Sequence, residues 1–266
     1  MRRAALLIAL TAVVAGCGGG EDPPRVATRT ATPAPAATPA PATPAPATPT
    51  PAPATAAPAE VAARPDPPLR RHRFTTARLA GRTALRARPG GRTLAHAGRW
   101  TEFGGRRVLA VTGRRGGWLR VVVPERPNGT HAWIRGDRAR AGGTDVSLHV
   151  DRSAHRLTVR RGDEVVRRIT VGTGLPGHAT PLGRYAITDK IHMDDPDYGC
   201  CALALTGHQT SLPAGWTGLD RLAIHGTDQP ETIGADGSYG CLHARDDDLR
   251  RLMRTIPLGA PVFIRS

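Results

Sequence analysis

The chain has 266 residues, 37 Lys and Arg against 22 Asp and Glu, and a formal net charge of +15. A field of that sign favours anionic polymers or a membrane surface as partners. After the first 17 residues no stretch is long and apolar enough for a transmembrane helix.

Residues 1–17 read as a targeting segment. Arg2 and Arg3 form a positive start, and the apolar run Ala4 to Val14 is too short to span a bilayer. Val14-Ala15-Gly16-Cys17 resembles a bacterial lipobox, so Cys17 is expected to be lipidated and to hold the protein on the outer face of the cell membrane. A plain secretory leader is the alternative. In both cases the chain leaves the cytoplasm, which removes nucleic acid as a partner. Residues 18–69 repeat Ala, Pro and Thr with almost nothing large and apolar to bury. A disordered, polyproline-biased linker is expected, with a reach of at most ~150 Å.

The segment 70–143 is expected to form a small all-β barrel. Short strand-like runs at 83–87, 107–111, 118–123 and 132–134 alternate with turns at Pro89-Gly90-Gly91, Gly116-Gly117 and Pro127-Asn128-Gly129. The pieces L-R-A-R-P-G, G-W-L-R-V and H-A-W-I-R resemble a bacterial SH3-like domain. From Arg70 to Thr144 there are 18 basic and 3 acidic residues, so the whole charge excess lies here. Anionic wall polymers or lipid head groups are the expected partners of this segment. A general preference for arginine, which supplies 36 of the 37 basic residues, is the alternative explanation.

The segment 144–266 is nearly neutral and is expected to form an antiparallel β-sandwich. Runs at 147–150, 156–160 and 165–171 alternate as strands do. A helix is expected near Asp246-Asp247-Asp248, with Leu249, Leu252, Met253 and Ile256 on one face and Pro257 and Gly259 as the stop. Pro261 to Ile264 returns as a last strand. The fold class is therefore mainly β, with one or two short helices.

Ile224 to His243 carries the chemistry. Cys241 sits in a turn after Gly237, Ser238, Tyr239 and Gly240, and His225 ends the short apolar strand Leu222-Ala223-Ile224. A cysteine nucleophile needs a base close to its sulfur, because the thiolate is the reactive form. Glycine before the nucleophile lets the backbone turn sharply and aim its N–H groups at a developing oxyanion. Cys241 as nucleophile, His225 as base, and the Tyr239, Gly240 and Cys241 amides as oxyanion donors make a workable acyl-transfer site. Ser238 is assigned to the turn: a G-x-S-x-G elbow would require Gly at position 236, which is Asp. His192, Asp194, Asp195, Cys200, Cys201 and His208 form a polar group read as a flap or loop over the cleft. Adjacent cysteines are poorly placed to share one tetrahedral zinc, so no metal is expected. Cys200 and Cys201 are expected as a vicinal disulfide or a buried thiol, and they are rivals to Cys241.

The order I-H-G-T, P-x-x-I-G, S-x-G-C-L, together with the earlier Thr180-Pro181-Leu182-Gly183-Arg184-Tyr185, resembles the L,D-transpeptidase (YkuD-like) catalytic domain of bacterial cell-wall enzymes. The resemblance covers about Thr144 to Ser266. It implies peptidoglycan stem peptides as substrate, a cysteine acyl-enzyme on tetrapeptide stems, 3→3 cross-links, no cofactor, and inhibition by carbapenem-type β-lactams. Gly226, Thr227, Ser238 and His243 then fall where that family binds substrate. Two positions depart from its pattern: Tyr239 stands where His is usual, and His243 where Arg or Asn is usual. His243 reads either as a partial cationic anchor or as a surface histidine. Three alternatives stay open: a hydrolase with the same acyl-enzyme, a papain-like endopeptidase, and a wall-binding lipoprotein with a decayed site. The papain order is reversed here, since His225 precedes Cys241.

Overall fold

In the computed structural model, which describes residues 72–266, alternation along the chain becomes alternation across sheets. Leu157 and Val159 are buried while Arg156, Thr158 and Arg160 between them are not, the period-two signature of a half-covered strand. The described residues all fall within one compact unit, Arg64–Ser266. The leader, Cys17 and the linker expected over 18–69 lie outside the described residues.

The first sheet has seven strands: β1 (Phe74–Leu79), β2 (Thr83–Arg86), β3 (Thr93–Ala97), β4 (Val108–Arg115), β5 (Trp118–Val122), β6 (Ala132–Arg135) and β7 (Ala139–Thr144). Their order is β3-β2-β6-β5-β4-β1-β7, with every pair antiparallel. Leu79, Leu85, Leu109, Val121 and Ile134 form its own apolar cluster. The runs read from the sequence correspond to β2, β4, β5 and β6. β7 reads Ala-Arg-Ala-Gly-Gly-Thr and has no apolar alternation to announce it; pairing with β1 along six positions makes it a strand.

The second sheet holds β8 (Val146–Asp151), β9 (Arg156–Arg161), β10 (Glu164–Thr170), β12 (Gly183–Asp195), β13 (Gly199–His208), β14 (Arg221–His225), β16 (Leu242–His243) and β17 (Pro261–Arg265). β11 (Thr173–Gly174) and β15 (Asp236–Ser238) form a separate parallel pair. The order β10-β9-β8-β17-β12-β13-β14-β16 includes two parallel pairs, β8–β17 and β14–β16. The sheet is therefore mixed rather than purely antiparallel. The helix α1 (Asp246–Thr255) carries the chain away from β16, and β17 then slots in beside β8 in the same direction. Leu249, Leu252 and Met253 of α1 are buried, and three aspartates occupy its first turn.

The polar group from His192 to His208, expected as a flap or loop over the cleft, is a hairpin whose tip lines the cleft through Met193, Asp197 and Tyr198. β12 and β13 run as one long hairpin, with His192 paired to Cys201 and a short 3-10 turn at Pro196–Tyr198. The reason lies in the run Cys201 to Gly207, buried throughout, which belongs in the middle of a sheet. Cys200 and Cys201 are joined as a disulfide, the first of the two states expected. His208 ties the two sheets together: its ring contacts Asp220 at 2.9 Å and the Pro124 carbonyl at 2.6 Å, and its N–H donates to Asn128 Oδ1 at 2.9 Å.

Loops of the first sheet also reach the region of the cleft. Thr101 Oγ1 donates to the buried Asp189 Oδ1 at 2.5 Å, and Glu102 forms an ion pair with Arg221. A side chain at Gly105 would run into Asp189, so this close approach requires glycine.

Candidate active site

The parallel pairing of β14 with β16 decides which side chains meet. Ile224 lies opposite Leu242 and His225 opposite His243. Ile224 and Leu242 point into the core. Cys241 and His243 flank Leu242, so both fall on the other face, which is also the face of His225. That face lines a cleft of about 490 Å³ containing Cys241, His225, His243, Tyr198, Trp216 and Tyr239.

His225 is nearly fully buried, at 5 % exposure. Its Nδ1 lies 2.5 Å from the Gly226 carbonyl oxygen. A carbonyl can only accept, so Nδ1 carries the hydrogen and Nε2 is left with a lone pair. Burial, and then the neighbouring His243, push the imidazole down to about 4; the Gly226 bond opposes them. His225 is thus a neutral base across the physiological range. Tyr198 packs over it at 4.8 Å between ring centroids and His243 at 4.9 Å.

His243 is buried, at 9 % exposure, and is not the surface histidine expected as one alternative. Thr232 Oγ1 donates to the Gln229 carbonyl at 2.7 Å, so its lone pair accepts from His243 Nδ1, also at 2.7 Å. Burial lowers the His243 pKa, with Asp228 pulling it back up. A neutral ring is a poor cationic anchor, so the other expected role is disfavoured too. The β14–β16 register places this residue in the wall of the cleft, a fact that spacing along the chain does not reveal.

The turn before Cys241 is held from two sides. Ser238 Oγ donates to the Cys241 carbonyl at 2.6 Å and accepts the Gly240 N–H at 3.0 Å. This matches the turn-shaping role expected of Ser238, and its hydroxyl is engaged there rather than offered to substrate. It also corrects the trio of oxyanion donors: the Gly240 amide is already engaged by Ser238 Oγ. Gln209, which no motif marks, donates from Nε2 to the Tyr239 carbonyl at 3.0 Å and the His178 carbonyl at 2.8 Å. A side chain on Gly240 would collide with that amide. A lone glutamine in a polar stretch carries no sequence signal, so only its contacts identify it.

Cys241 is the free cysteine among the described residues. Cys200 and Cys201 are no longer rivals in this structure, because their sulfurs are bonded to each other. Cys241 is half-buried in the cleft wall, and burial pushes its thiol up to about 11, with a backbone hydrogen bond at Ala223 pulling the other way. Its Sγ lies 3.9 Å from the Arg221 carbonyl. Arg221 is a second residue that motif reading misses. Its guanidinium donates to the Leu205 carbonyl and to Thr188 Oγ1 while paired with Glu102, and burial lowers it to about 10.

The remaining expected residues divide. Thr227 lines the cleft, and its Oγ1 accepts the Gln229 N–H at 3.0 Å. Gly226 serves packing instead: a Cβ there would meet the Gly199 backbone and the Asp246 carboxylate. Thr180 is buried and accepts the Gly174 N–H at 2.9 Å, and the Tyr185 hydroxyl donates back to the Pro181 and Leu182 carbonyls. The T-P-x-G-x-Y segment therefore braces the scaffold beneath the cleft. Tyr239 is half exposed and meets His178 and Trp216 edge-on, forming an aromatic rim.

At rest the cleft thus holds a thiol and a neutral imidazole rather than a thiolate and an imidazolium. Alkylation of Cys241 by iodoacetamide is expected to stay slow near pH 7 and to accelerate by about tenfold per pH unit toward pH 11. A rate that levels off below pH 8 would show a thiolate already present at rest.

Fold and site together define a mainly β domain with a cysteine and a histidine facing one cleft. Residues 145–264 match the model of the YkuD family, described as the L,D-transpeptidase catalytic domain. A Bacillus subtilis (strain 168) protein named "Putative L,D-transpeptidase YqjB" is 29% identical over 139 residues, covering 50% of this chain and 77% of its own. Among solved structures, an L,D-transpeptidase from Mycobacterium smegmatis aligns with a TM-score of 0.40 at 16% identity, over 60% of this chain and 91% of that one. L,D-transpeptidase 3 from Mycobacterium tuberculosis, in complex with a faropenem-derived adduct, aligns with a TM-score of 0.40 at 18% identity, over 59% and 79%.

Proposed function

We propose that the protein is an exported cell-wall L,D-transpeptidase that works through an acyl-enzyme on Cys241. The reading is supported best by the cleft lining that Cys241 and His225 share, together with the His225 Nδ1–Gly226 bond that leaves Nε2 with a lone pair. In this reading Cys241 Sγ attacks the carbonyl of the third residue of a tetrapeptide stem. His225 Nε2 takes the thiol proton, and the oxyanion is met by the Tyr239 and Cys241 amides. Collapse breaks the peptide bond, His225 returns the proton to the departing D-alanine amine, and a thioester remains. The side-chain amine of a neighbouring stem then attacks the thioester, releasing the thiol and forming a 3→3 amide bond. No metal or organic cofactor enters these steps.

The raised thiol pKa fits this order of events. A thiol that stays protonated until an acyl donor displaces water does not need a standing charge in the cleft. Tyr239, Trp216 and His178 at the rim suit a peptide stem, whose methylene and methyl groups lie against rings. Carbapenem-type β-lactams are expected to acylate the same sulfur. The lipid anchor at Cys17, the tether over 18–69 and an SH3-like module over 70–143 that holds the wall complete the proposal.

The test is product analysis. Incubation of the full chain with a disaccharide-tetrapeptide should yield a dimer lighter than two substrates by one alanine. A tripeptide product with no dimer would make the protein a hydrolase using the same thioester. No turnover, with binding to wall sacculi intact, would favour a wall-binding protein with a decayed site.

A further inference from the structure

One face of the second sheet carries a charge pattern that acyl transfer does not use. The strand registers place Arg168 opposite Thr158, Thr158 opposite His149, His149 opposite Phe263, and Phe263 opposite Arg184. These five residues form one unbroken row across β10, β9, β8, β17 and β12. With strands ~4.8 Å apart, the row is about 19 Å long. Residues two positions along a strand share a face, so Arg156 and Arg160 flank Thr158, and Arg265 flanks Phe263. The opposite face of these strands is the core: Leu148, Leu157, Val159, Val262 and Tyr185 are all buried.

The row is built, not merely basic. Phe263 stacks on His149 at 4.9 Å and lies under the Arg184 guanidinium at 5.4 Å, which holds both groups in place. His149 Nε2 is 3.0 Å from Ser147 Oγ. Two recesses, of about 420 and 350 Å³, meet at His149 and Arg160. The acidic groups here are accounted for: Asp151 pairs with Arg156 at 3.2 Å, and Asp163 pairs with Arg73. Arg160, Arg168, Arg184 and Arg265 make no ion pair among the described residues. The positive field shows in the titrating groups. Burial, followed by Arg160, Arg265 and Arg73, lowers His149, and burial, followed by Arg120, lowers Arg184. From Asp145 to Ser266 there are 14 basic and 15 acidic residues, so this face reflects segregation of charge within a nearly neutral domain.

We infer that this face is a binding site for a linear phosphodiester-linked polyol or sugar chain, laid along Arg168, Thr158, His149, Phe263 and Arg184. A span of about 19 Å is too long for one small anion and suits a chain with a charge in each repeat. Each phosphodiester presents two free oxygens, which guanidinium groups from neighbouring strands can share. The recesses favour a chain over a bilayer, because a flat surface of head groups does not reach into them. The site lies on β8, β9, β10, β12 and β17, whereas the cleft is built on β14, β16 and the far part of β12 and β13. It would hold the enzyme on a phosphate-rich polymer while the cleft handles peptide stems. The inference does not depend on the identity of the nucleophile.

The test titrates the full chain with poly(glycerol phosphate) of defined length by calorimetry at about 0.1 M salt, beside R160S/R168S and the control R251S/R254S. Arg251 and Arg254 are exposed on α1, away from this face and outside the 70–143 segment, and carry the same charge. The R160S/R168S protein should bind at least ~10-fold more weakly and the control within ~2-fold of wild type. R168S alone, at an exposed position, should show a smaller loss in the same direction and guards against a folding defect in the pair. Alkylation of Cys241 should be unchanged in all of them. Equal losses in both double variants would reduce the effect to net charge and overturn the site. So would failure of the polymer to bind, or tighter binding to phosphatidylglycerol vesicles than to the polymer. Competition by millimolar inorganic phosphate would replace the chain by a single-anion site.

Discussion

Cys241→Ala is expected to abolish acyl transfer, with a loss of at least about 10⁴-fold in turnover and no change of fold. Intact-protein mass spectrometry is the direct check. Wild type incubated with a carbapenem should gain one covalent adduct, and Cys241→Ala should gain none. The fold should survive, because the turn is held by Ser238 and Gln209 rather than by the sulfur. Retention of the adduct in the variant would move the nucleophile elsewhere. Cys200 and Cys201 would then have to be reduced first, since each is bonded to the other. An adduct on the variant under non-reducing conditions would overturn the cysteine assignment altogether.

His225→Ala is expected to lower the acylation rate by roughly 10²–10⁴-fold and to change its pH dependence. In wild type the base is pushed down to about 4 and the thiol up to about 11. As pH falls through about 4, His225 gains a proton and can no longer take one from the thiol, so activity is lost on the acid side. Between the two values both groups stay in the form the reaction uses, and the rate should be nearly flat. Without His225 the thiol must ionise unaided, so the remaining rate should climb with pH toward 11. A wild-type profile that falls through pH 6 to 7 would place an ordinary histidine in control instead. A variant with full activity at pH 7 would remove His225 from the chemistry, and His243 would become the next base to test.

Part of the cleft is legible along the chain and part is not, for a reason of distance. Cys241, Gly240 and Ser238 are contiguous, and a tight turn is a local event decided by a few neighbouring residues. Ser238 can be assigned to the turn for that reason. Gln209 lies 31 residues from Gly240 and Arg221 lies 20 from Cys241, with nothing in either residue's neighbourhood to mark it. Their roles exist only because β13 and β14 are adjacent in the sheet. His243 defeats a local reading for a similar cause. A histidine two residues beyond a turn reads as exposed, but the parallel register with β14 buries it opposite His225.

The sequence by itself determined the class of elements. Period-two alternation made β2, β4, β5, β6, β8 and β9 visible, and three aspartates ahead of Leu249, Leu252 and Met253 announced α1. It also determined the order of the motifs, because Cys, Gly and His at those spacings are a local chemical fact. The tertiary structure alone decided which strands are neighbours, and pairing partners far apart in the chain leave no local trace. That decision made the second sheet mixed, gave the expected flap or loop the form of the β12–β13 hairpin, and gathered arginines from β9, β10, β12 and β17 onto one face. It also set the protonation of the site: the withdrawal of water from His225 and Cys241 depends on what the folded chain packs around them.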